Sequence, residues 1–210
     1  MFRMWRYIGA LVLGGLAICG YGIKQVTLAN SCKSTPSVLT GLELAEKGWG
    51  DNANVEVTKI ATMKNYVYQT KNNSDRWEYA FVPMISLEGE YMKYYYKFYD
   101  DKANAGKEPE MPKEFCAIIK IKAANQSDVD RVLEMTSVPG VIINSIDKLD
   151  KEAVKLLRKS YPHVQLGSVA ILEYNRPPES TAKGVFITAG GGAMMICGIM
   201  FLGWTWKNKD

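Results

Sequence analysis

Residues 184–206 read GVFITAGGGAMMICGIMFLGWTW, and none of these 23 side chains is charged. A helix rises about 1.5 Å per residue, so a run of this length can cross a hydrocarbon core roughly 30 Å thick. Residues 7–23 read YIGALVLGGLAICGYGI, another 17 positions without a charge. The two runs predict transmembrane helices over 7–24 and 184–206, since Lys24 extends the shorter one by placing its ammonium at the headgroups.

The charges around the two apolar runs predict the orientation of the chain. The formal net charge of +4 lies entirely outside residues 31–183, where basic and acidic side chains balance. Arg3 and Arg6 precede the first run, and Lys207 and Lys209 follow the second. Short positive flanks stay on the cytoplasmic side of a membrane. We therefore expect cytoplasmic segments at 1–6 and 207–210, and an extracytoplasmic region at 31–183, in a periplasm or a lumen.

The first run also has an interpretation as a cleaved secretory signal. Residues 1–6 form a basic leader, and residues 27–29 offer a cleavage site after Ala29. The apolar run is longer than in most signal sequences, and Lys24 interrupts the approach to Ala29. The sequence favours an anchor and leaves cleavage open.

Small residues recur at four-residue spacing in both apolar runs, and such rows let two helix backbones approach closely in lipid. The first run contains Ala10 and Gly14; the second contains the row Gly184, Thr188 and Gly192 and, beside it, Ala189, Ala193 and Cys197. We expect the second helix to pack through these residues. Its partner is the first helix, a second copy of the chain or a larger membrane protein.

Residues 31–176 predict an α+β domain. Residues 40–43 match a capping box, which opens a short helix that ends at Gly48. Partly alternating residues predict a strand at 55–60, and residues 66–70 and 77–86 predict a hairpin around the turn 71–75. Pro83 lacks an N–H, which predicts that its part of the second arm lies at a sheet edge or a bulge.

The C-terminal part of the domain predicts a β-α-β-α-β stretch, and so a mixed sheet. A strand around Ile119, Ile121 and Ala123 precedes a helix that begins at Ser127 and Asp128. A turn at Pro139 and Gly140 leads into a strand at 141–146. Asp150 caps a second helix at 152–160, and the last strand covers 164–174. Residues 177–183 form a proline-containing spacer before the second apolar run.

The loop at 100–114 is rich in acidic and basic residues and contains two prolines. It predicts a solvated, mobile connection, which suits an insertion or a lid. Before it lies an aromatic segment, in which Tyr91, Tyr94, Tyr95, Tyr96, Phe98 and Tyr99 are interleaved with two lysines. Aromatic content favours a strand there, with Met92, Tyr94, Tyr96 and Phe98 on one face. As a helix, the segment would instead place Tyr91, Tyr94, Tyr95 and Phe98 together. The segment is a candidate partner surface.

Cys32 and Cys116 both fall in the region that we expect to be oxidising. A bridge between them would close a loop of about 84 residues and contribute roughly 4 kcal/mol in the chain-entropy model. Cys116 alternatively serves as a small buried apolar residue at the start of a strand.

The sequence between the apolar runs contains no catalytic, metal-binding or phosphate-binding motif, and its single histidine, His163, follows a proline without a cysteine nearby. We therefore expect no cofactor and no metal, and the balanced charge excludes a nucleic-acid partner. The sequence favours a non-catalytic structural, assembly or protein-binding subunit of a membrane complex. The alternative is a membrane-tethered enzyme or ligand sensor that uses the loop 100–114 as a lid.

Overall fold

The computed structural model describes residues 2–71, 77–122, 125–144, 147–178 and 180–207. These residues form two units. One consists of two long apolar helices, α1 over Phe2–Asn30 and α6 over Thr181–Lys207. The other is an α+β domain between Cys32 and Pro178. Residues 72–75 of the predicted turn, Ala123, Ile146, Glu179 and the tail 208–210 lie outside the described residues.

An eight-stranded mixed sheet forms the framework of the domain, as the sequence predicts. Its strands are β1 Ser37–Thr40, β2 Asn54–Thr58, β3 Ile60–Thr62, β4 Val67–Thr70, β5 Trp77–Ser86, β6 Ala117–Ile121, β7 Ser137–Ile142 and β8 Ala170–Tyr174. The helices are α2 Gly41–Lys47, α3 Glu90–Asp100, α4 Gln126–Leu133 and α5 Lys151–Ser160, and a single 3-10 turn covers Lys102–Asn104.

The strand order across the sheet is β1-β2-β7-β8-β6-β5-β3, and β4 also pairs with β5. The pairs β1–β2 and β6–β8 are parallel, and the other pairs are antiparallel. The order β6-α4-β7-α5-β8 along the chain confirms the predicted β-α-β-α-β stretch. Because β8 inserts between β6 and β7, this stretch supplies the centre of the sheet.

The predicted capping box begins α2. The Glu43 N–H donates to Thr40 Oγ1 at 3.2 Å, and the Thr40 N–H donates to Glu43 Oε2 at 2.9 Å. The helix ends at Gly48, which has a φ of 71°. The strand predicted at 55–60 is interrupted, because Lys59 takes a φ of 53° and separates β2 from β3.

Two buried asparagines hold the segment that leads into the domain. Asn52 accepts from the Lys33 N–H at 2.9 Å and donates to the Thr35 carbonyl at 3.0 Å. Asn54 donates to the Lys33 carbonyl at 2.9 Å. Because buried amides need partners, these bonds fasten residues 33–35 beside the start of β2.

The hairpin of β4 and β5 is present, but the prediction for Pro83 is wrong. This residue lies inside the sheet, where β5 pairs with β6 on one side and with β3 and β4 in succession on the other. The Pro83 carbonyl accepts from the Met63 N–H at 2.9 Å, so its missing N–H faces the gap between β3 and β4. Proline is tolerated there because no ladder bond is lost.

The aromatic segment forms the helix α3, so the prediction of a strand is wrong. Met92 is buried and Tyr91, Tyr95 and Phe98 are half-buried. Tyr94 and Tyr96, which the strand prediction placed on one face with Met92 and Phe98, are exposed. The spacing of the buried side follows a helical period. Ring pairs one helical turn apart, such as Tyr95 and Tyr99 with centroids 4.8 Å apart, support the helix. The strand preference of tyrosine depends on its surroundings, and in this segment the packing of Tyr91, Met92 and Tyr95 against the core favours a helix.

Two further boundaries differ from prediction. Pro139 and Gly140 do not form a turn but lie within β7, opposite Glu56 and Val55 of β2. A Cβ at Gly140 would lie 2.4 Å from the Glu173 carbonyl, so the close approach of β8 requires glycine. The last strand begins only at Ala170, because residues 164–169 run as a loop whose apolar side chains enter the core.

One hydrophobic core cluster collects residues from β5, β6, α3, α5 and the loops around them. Its buried members are Phe81, Ile85, Met92, Phe115, Ile118, Ala153, Leu157, Tyr161, Val164, Leu166 and Val169. The rings of Phe115 and Tyr161 meet edge to face, with centroids 4.8 Å apart. Because α3 and Phe115 both pack in this cluster, they lie next to each other, and both border the groove described below.

Candidate functional site

The two long helices pack against each other in antiparallel orientation along a seam of glycines. Residue numbers rise along α1 as those of their contacts fall along α6. Gly15 lies against Gly191, and Gly22 lies against Thr188 and Gly184. A Cβ added at Gly15 would lie 2.7 Å from the Gly191 carbonyl oxygen. The backbones therefore touch directly, which only glycine permits.

Polar contacts accompany the seam. The Cys19 thiol donates to the Thr188 carbonyl at 3.2 Å, and the Thr188 hydroxyl donates to the Gly184 carbonyl of its own helix at 2.9 Å. At one end of the helix pair, Thr181 Oγ1 and Asn30 Oδ1 are joined by a hydrogen bond of 3.2 Å.

The small residues predicted for packing fall on two different faces. Gly184 and Thr188 lie in the seam. A Cβ added at Gly14 would lie 3.9 Å from Met194 Cε, so Gly14 lies at the border of the seam. Ala10, Ala189 and Ala193 are exposed, and a Cβ at Gly192 would meet nothing within 4 Å. The structure thus pairs α6 with α1 through part of the predicted set and leaves the rest on the outer surface.

A seven-residue repeat explains this division. Eight residues after Gly184, Gly192 has rotated by about 80° away from the seam, whereas Gly191 has rotated by only about 20°. The glycines at 184, 191 and 198 of α6, and at 15 and 22 of α1, follow this repeat. This seven-residue spacing is visible in the sequence and could have predicted the contact residues, whereas the prediction used the four-residue spacing.

The outer faces of the two helices are apolar. Their exposed large side chains are Tyr7, Leu11, Leu13, Leu16, Ile18, Tyr21 and Ile23 on α1, and Val185, Phe186, Ile196, Ile199, Met200, Phe201, Trp204 and Trp206 on α6. Only 17% and 11% of the residues in the most apolar windows of the two helices are buried. Both helices are long and apolar enough to cross a membrane.

The sequence left a bridge between Cys32 and Cys116 open, and both cysteines are free thiols in the structure. Cys116 is buried, and its thiol donates to the Met84 carbonyl at 3.1 Å. Burial raises the pKa of Cys116 from 9.0 to about 12. Burial also raises the pKa of Cys32, and Arg176 partly offsets the effect. Cys116 therefore behaves as the small buried residue of the alternative prediction.

We expect Cys116 to make the domain less stable at alkaline pH. The unfolded thiol loses its proton near pH 9, whereas the folded thiol keeps it to about pH 12. The folded state therefore binds more protons in this window, and its stability falls as pH rises, with a slope that grows through pH 9 toward about 1.4 kcal/mol per pH unit. Urea unfolding of the full chain in nonionic detergent at pH 8, 9 and 10 measures the slope. Cys116→Ala is expected to make it shallower, and equal slopes in the two proteins would contradict the assignment.

Cys116 and His163 border one cavity of about 540 Å³, beside Trp49 and Glu114. A cysteine nucleophile needs a thiolate and a base. Burial favours the protonated thiol of Cys116, which donates to the Met84 carbonyl and is not the nucleophilic form of cysteine. Within the described ranges, no three His, Cys, Asp or Glu side chains are grouped as metal ligands.

A groove of about 490 Å³ lies between α2, the start of α3 and residues 110–116. Its apolar lining includes Leu42, Ile85, Met111 and Phe115, and its aromatic lining comes from Tyr91 and Tyr94. The Glu110 N–H donates to the Tyr94 hydroxyl at 3.3 Å and ties the loop to α3. The structure therefore brings part of the predicted loop 100–114 together with part of the aromatic segment.

The other aromatic candidates, Tyr95, Tyr96, Phe98 and Tyr99, do not line this groove. Tyr96 and Tyr99 are exposed, and Tyr95 packs against the core cluster. Burial raises the pKa of Tyr91, with smaller contributions from Tyr95 and Tyr94. The sequence singled out these tyrosines but did not indicate that Leu42 and Glu46 of α2 would lie beside them.

No family model matches this chain, and neither does any curated protein or solved structure that it was compared with. The function therefore has to be inferred from the residues and their arrangement.

Proposed function

We propose that the protein is an integral membrane protein anchored by α1 and α6, and that it serves as a non-catalytic structural, assembly or protein-binding subunit of a membrane complex. The observation that carries this proposal is the pairing of two apolar helices, whose glycines touch each other while their large apolar side chains point outward. Such a pair is stable where the surroundings are apolar, because hydrocarbon solvates the outer face and close backbone contact holds the seam.

Two alternatives are less well supported. The core helix of a soluble protein buries most of its surface, whereas α1 and α6 expose theirs. If the first segment were a cleaved signal sequence, α6 would lose α1, the helix that Gly184, Gly191 and Gly198 contact closely. The helix pair therefore supports retention of the first segment.

The proposed topology rests on the flanking charges. Arg3 and Arg6 near the start of α1 and Lys207 at the end of α6 belong to the same end of the antiparallel pair, and Lys209 follows Lys207 in the sequence. By the preference of short positive flanks, we place both termini in the cytoplasm and the α+β domain in a periplasm or a lumen. The exposed Tyr96 and Tyr99 of α3 are the proposed contacts to a protein partner, since tyrosine is enriched at interfaces.

Membrane extraction followed by purification in mild detergent tests the proposal. We expect the full chain to resist alkaline carbonate, to keep its first 30 residues by intact mass, and to co-purify with partner proteins at a fixed ratio. Replacing both Tyr96 and Tyr99 by alanine is expected to lower that ratio, whereas Val38→Ala, another exposed apolar residue, is the matched control. Release by carbonate would contradict the anchor, and a lone chain would contradict the subunit.

A further inference from the structure

We propose that the groove between α2, α3 and residues 110–116 binds a small organic cation, a protonated amine carried on an apolar body. This inference goes beyond the anchored subunit and does not depend on it, since the groove belongs to the α+β domain alone. A volume of about 490 Å³ falls within the range of small-molecule sites, roughly 300–1,000 Å³.

The floor of the groove is apolar and largely preformed. Phe115 and Ile85 belong to the core cluster, so their positions are held by packing from behind. Leu42 and Ala45 of α2 and Met111 of the loop form the walls. A floor anchored in the core loses little conformational entropy when a ligand binds, which favours affinity for an apolar body.

The rim of the groove is acidic. Glu46, Glu90, Glu110 and Glu114 line it, against a single cation, Lys113. Two of the glutamates are already neutralised by ion pairs, Glu90 with Lys93 at 2.6 Å and Glu110 with Lys113 at 3.9 Å.

The other two carboxylates, of Glu46 and Glu114, form no ion pair with the described residues. Lys93, the partner of Glu90, also interacts electrostatically with Glu46. The four carboxylates still outnumber the two lysines, Lys93 and Lys113, and leave a negative charge beside an apolar floor. A cationic ligand would complement this charge, and an anionic ligand would be repelled.

Aromatic rings supply the second element of cation recognition. Tyr91 and Tyr94 line the groove with ring centroids 6.3 Å apart and planes inclined by 45°. The faces of such rings attract ammonium groups, and aromatic pockets are a common site for them. An amine with an apolar body satisfies the rings, the carboxylates and the floor together.

The test uses three probes with one apolar body and different charges: 4-phenylbutylammonium, 4-phenylbutanol and 4-phenylbutyrate. Each is titrated against the full chain in nonionic detergent, and ligand-observed NMR gives its Kd. We expect the ammonium to bind at least tenfold more tightly than the carboxylate, with the alcohol between them. Equal affinities of the three probes would overturn the proposal.

Variants assign the binding to the groove. The pair Glu46→Gln and Glu114→Gln is expected to weaken the ammonium probe severalfold and to leave the alcohol unchanged. Glu134, an exposed glutamate that follows the last residue of α4, lies outside the groove, and Glu134→Gln is expected to have no effect. Ala45→Trp fills the groove from an exposed position and is expected to weaken all three probes. Unchanged binding in both groove variants would overturn the site. A lysine-containing tripeptide that binds tenfold more tightly than the free amine would also overturn the proposal, because it would identify a protein side chain as the occupant.

Discussion

Replacing Gly191 by leucine is expected to force α1 and α6 apart. A Cβ at this position would lie 2.7 Å from the Cys19 backbone nitrogen and 2.7 Å from the Gly15 carbonyl oxygen. Both atoms belong to a helix backbone, so they move only if the helix moves. Overpacking costs about 1–3 kcal/mol where side chains can yield, and we expect the upper part of that range or more here.

Oxidative cross-linking measures this separation. Cysteines placed at Val12 and Gly198, with Cys19 and Cys197 replaced by alanine, report the contact, because a Cβ at 198 lies 2.9 Å from Val12 Cγ2. We expect efficient cross-linking in this parent and a large drop after Gly191→Leu.

The neighbouring glycine provides the control for the seam. A Cβ at Gly190 would meet nothing within 4 Å, so Gly190→Leu adds the same side chain to the same helix without a clash. It is expected to retain cross-linking. If Gly190→Leu and Gly191→Leu behaved alike, the glycine seam would not be the contact between the helices.

Truncating Leu157 to alanine is expected to cost the α+β domain about 2–5 kcal/mol, the range for buried leucines. Leu157 is fully buried on α5 and belongs to the core cluster with Ala153 and Tyr161. The removed atoms leave a cavity, because the surrounding side chains relax only partly. Since total stabilities are commonly about 5–15 kcal/mol, the loss is a large fraction of the whole. Urea unfolding of the full chain in nonionic detergent, followed by tryptophan fluorescence, measures it.

Leu156, one position earlier, is the matched control. Its side chain is 42% exposed, so the same truncation creates no enclosed cavity. We expect Leu156→Ala to change stability by less than about 1 kcal/mol. Similar losses at the two positions would show that α5 does not pack through the face that contains Leu157.

Local signals predicted much of the domain. The capping box at Thr40, the cap at Asp150 and the hairpin arms all act through neighbours in sequence, and each is present. Predictions failed where a distant strand decided the outcome. Gly140 forms no turn because β8 approaches its backbone, and Pro83 lies inside the sheet because β3 and β4 leave a gap opposite it.

In the aromatic segment and in the helix seam, residue composition and spacing allow two structures, and the one that the sequence favoured is not formed in the first case and only partly formed in the second. Tyrosines favour strands on average, but the contact of Tyr91, Met92 and Tyr95 with the core cluster selects a helix. Each apolar run contains small residues at four-residue spacing and others at seven-residue spacing, and either set could form the contact between the helices. The geometry of the antiparallel partner selects the seven-residue row, because it drifts least around the helix axis.

The groove could not be predicted from the sequence. It is formed by residues near 42–46, 85–94 and 110–116, which no local pattern connects. The sequence identified the loop and the tyrosines separately as candidates. The contribution of Glu46 arises only because α2 lies beside α3 in the folded domain.

By itself, the sequence determined the two apolar helices, the mixed α+β domain between them and the distribution of charge, because length, hydrophobic period and capping act within short windows of chain. The tertiary structure alone decided which glycines meet, that Cys32 and Cys116 stay apart as free thiols, and that carboxylates and tyrosines from three segments surround one groove. These features depend on contacts between residues far apart in sequence, and such contacts are selected by the packing of the whole domain or helix pair rather than by any single segment.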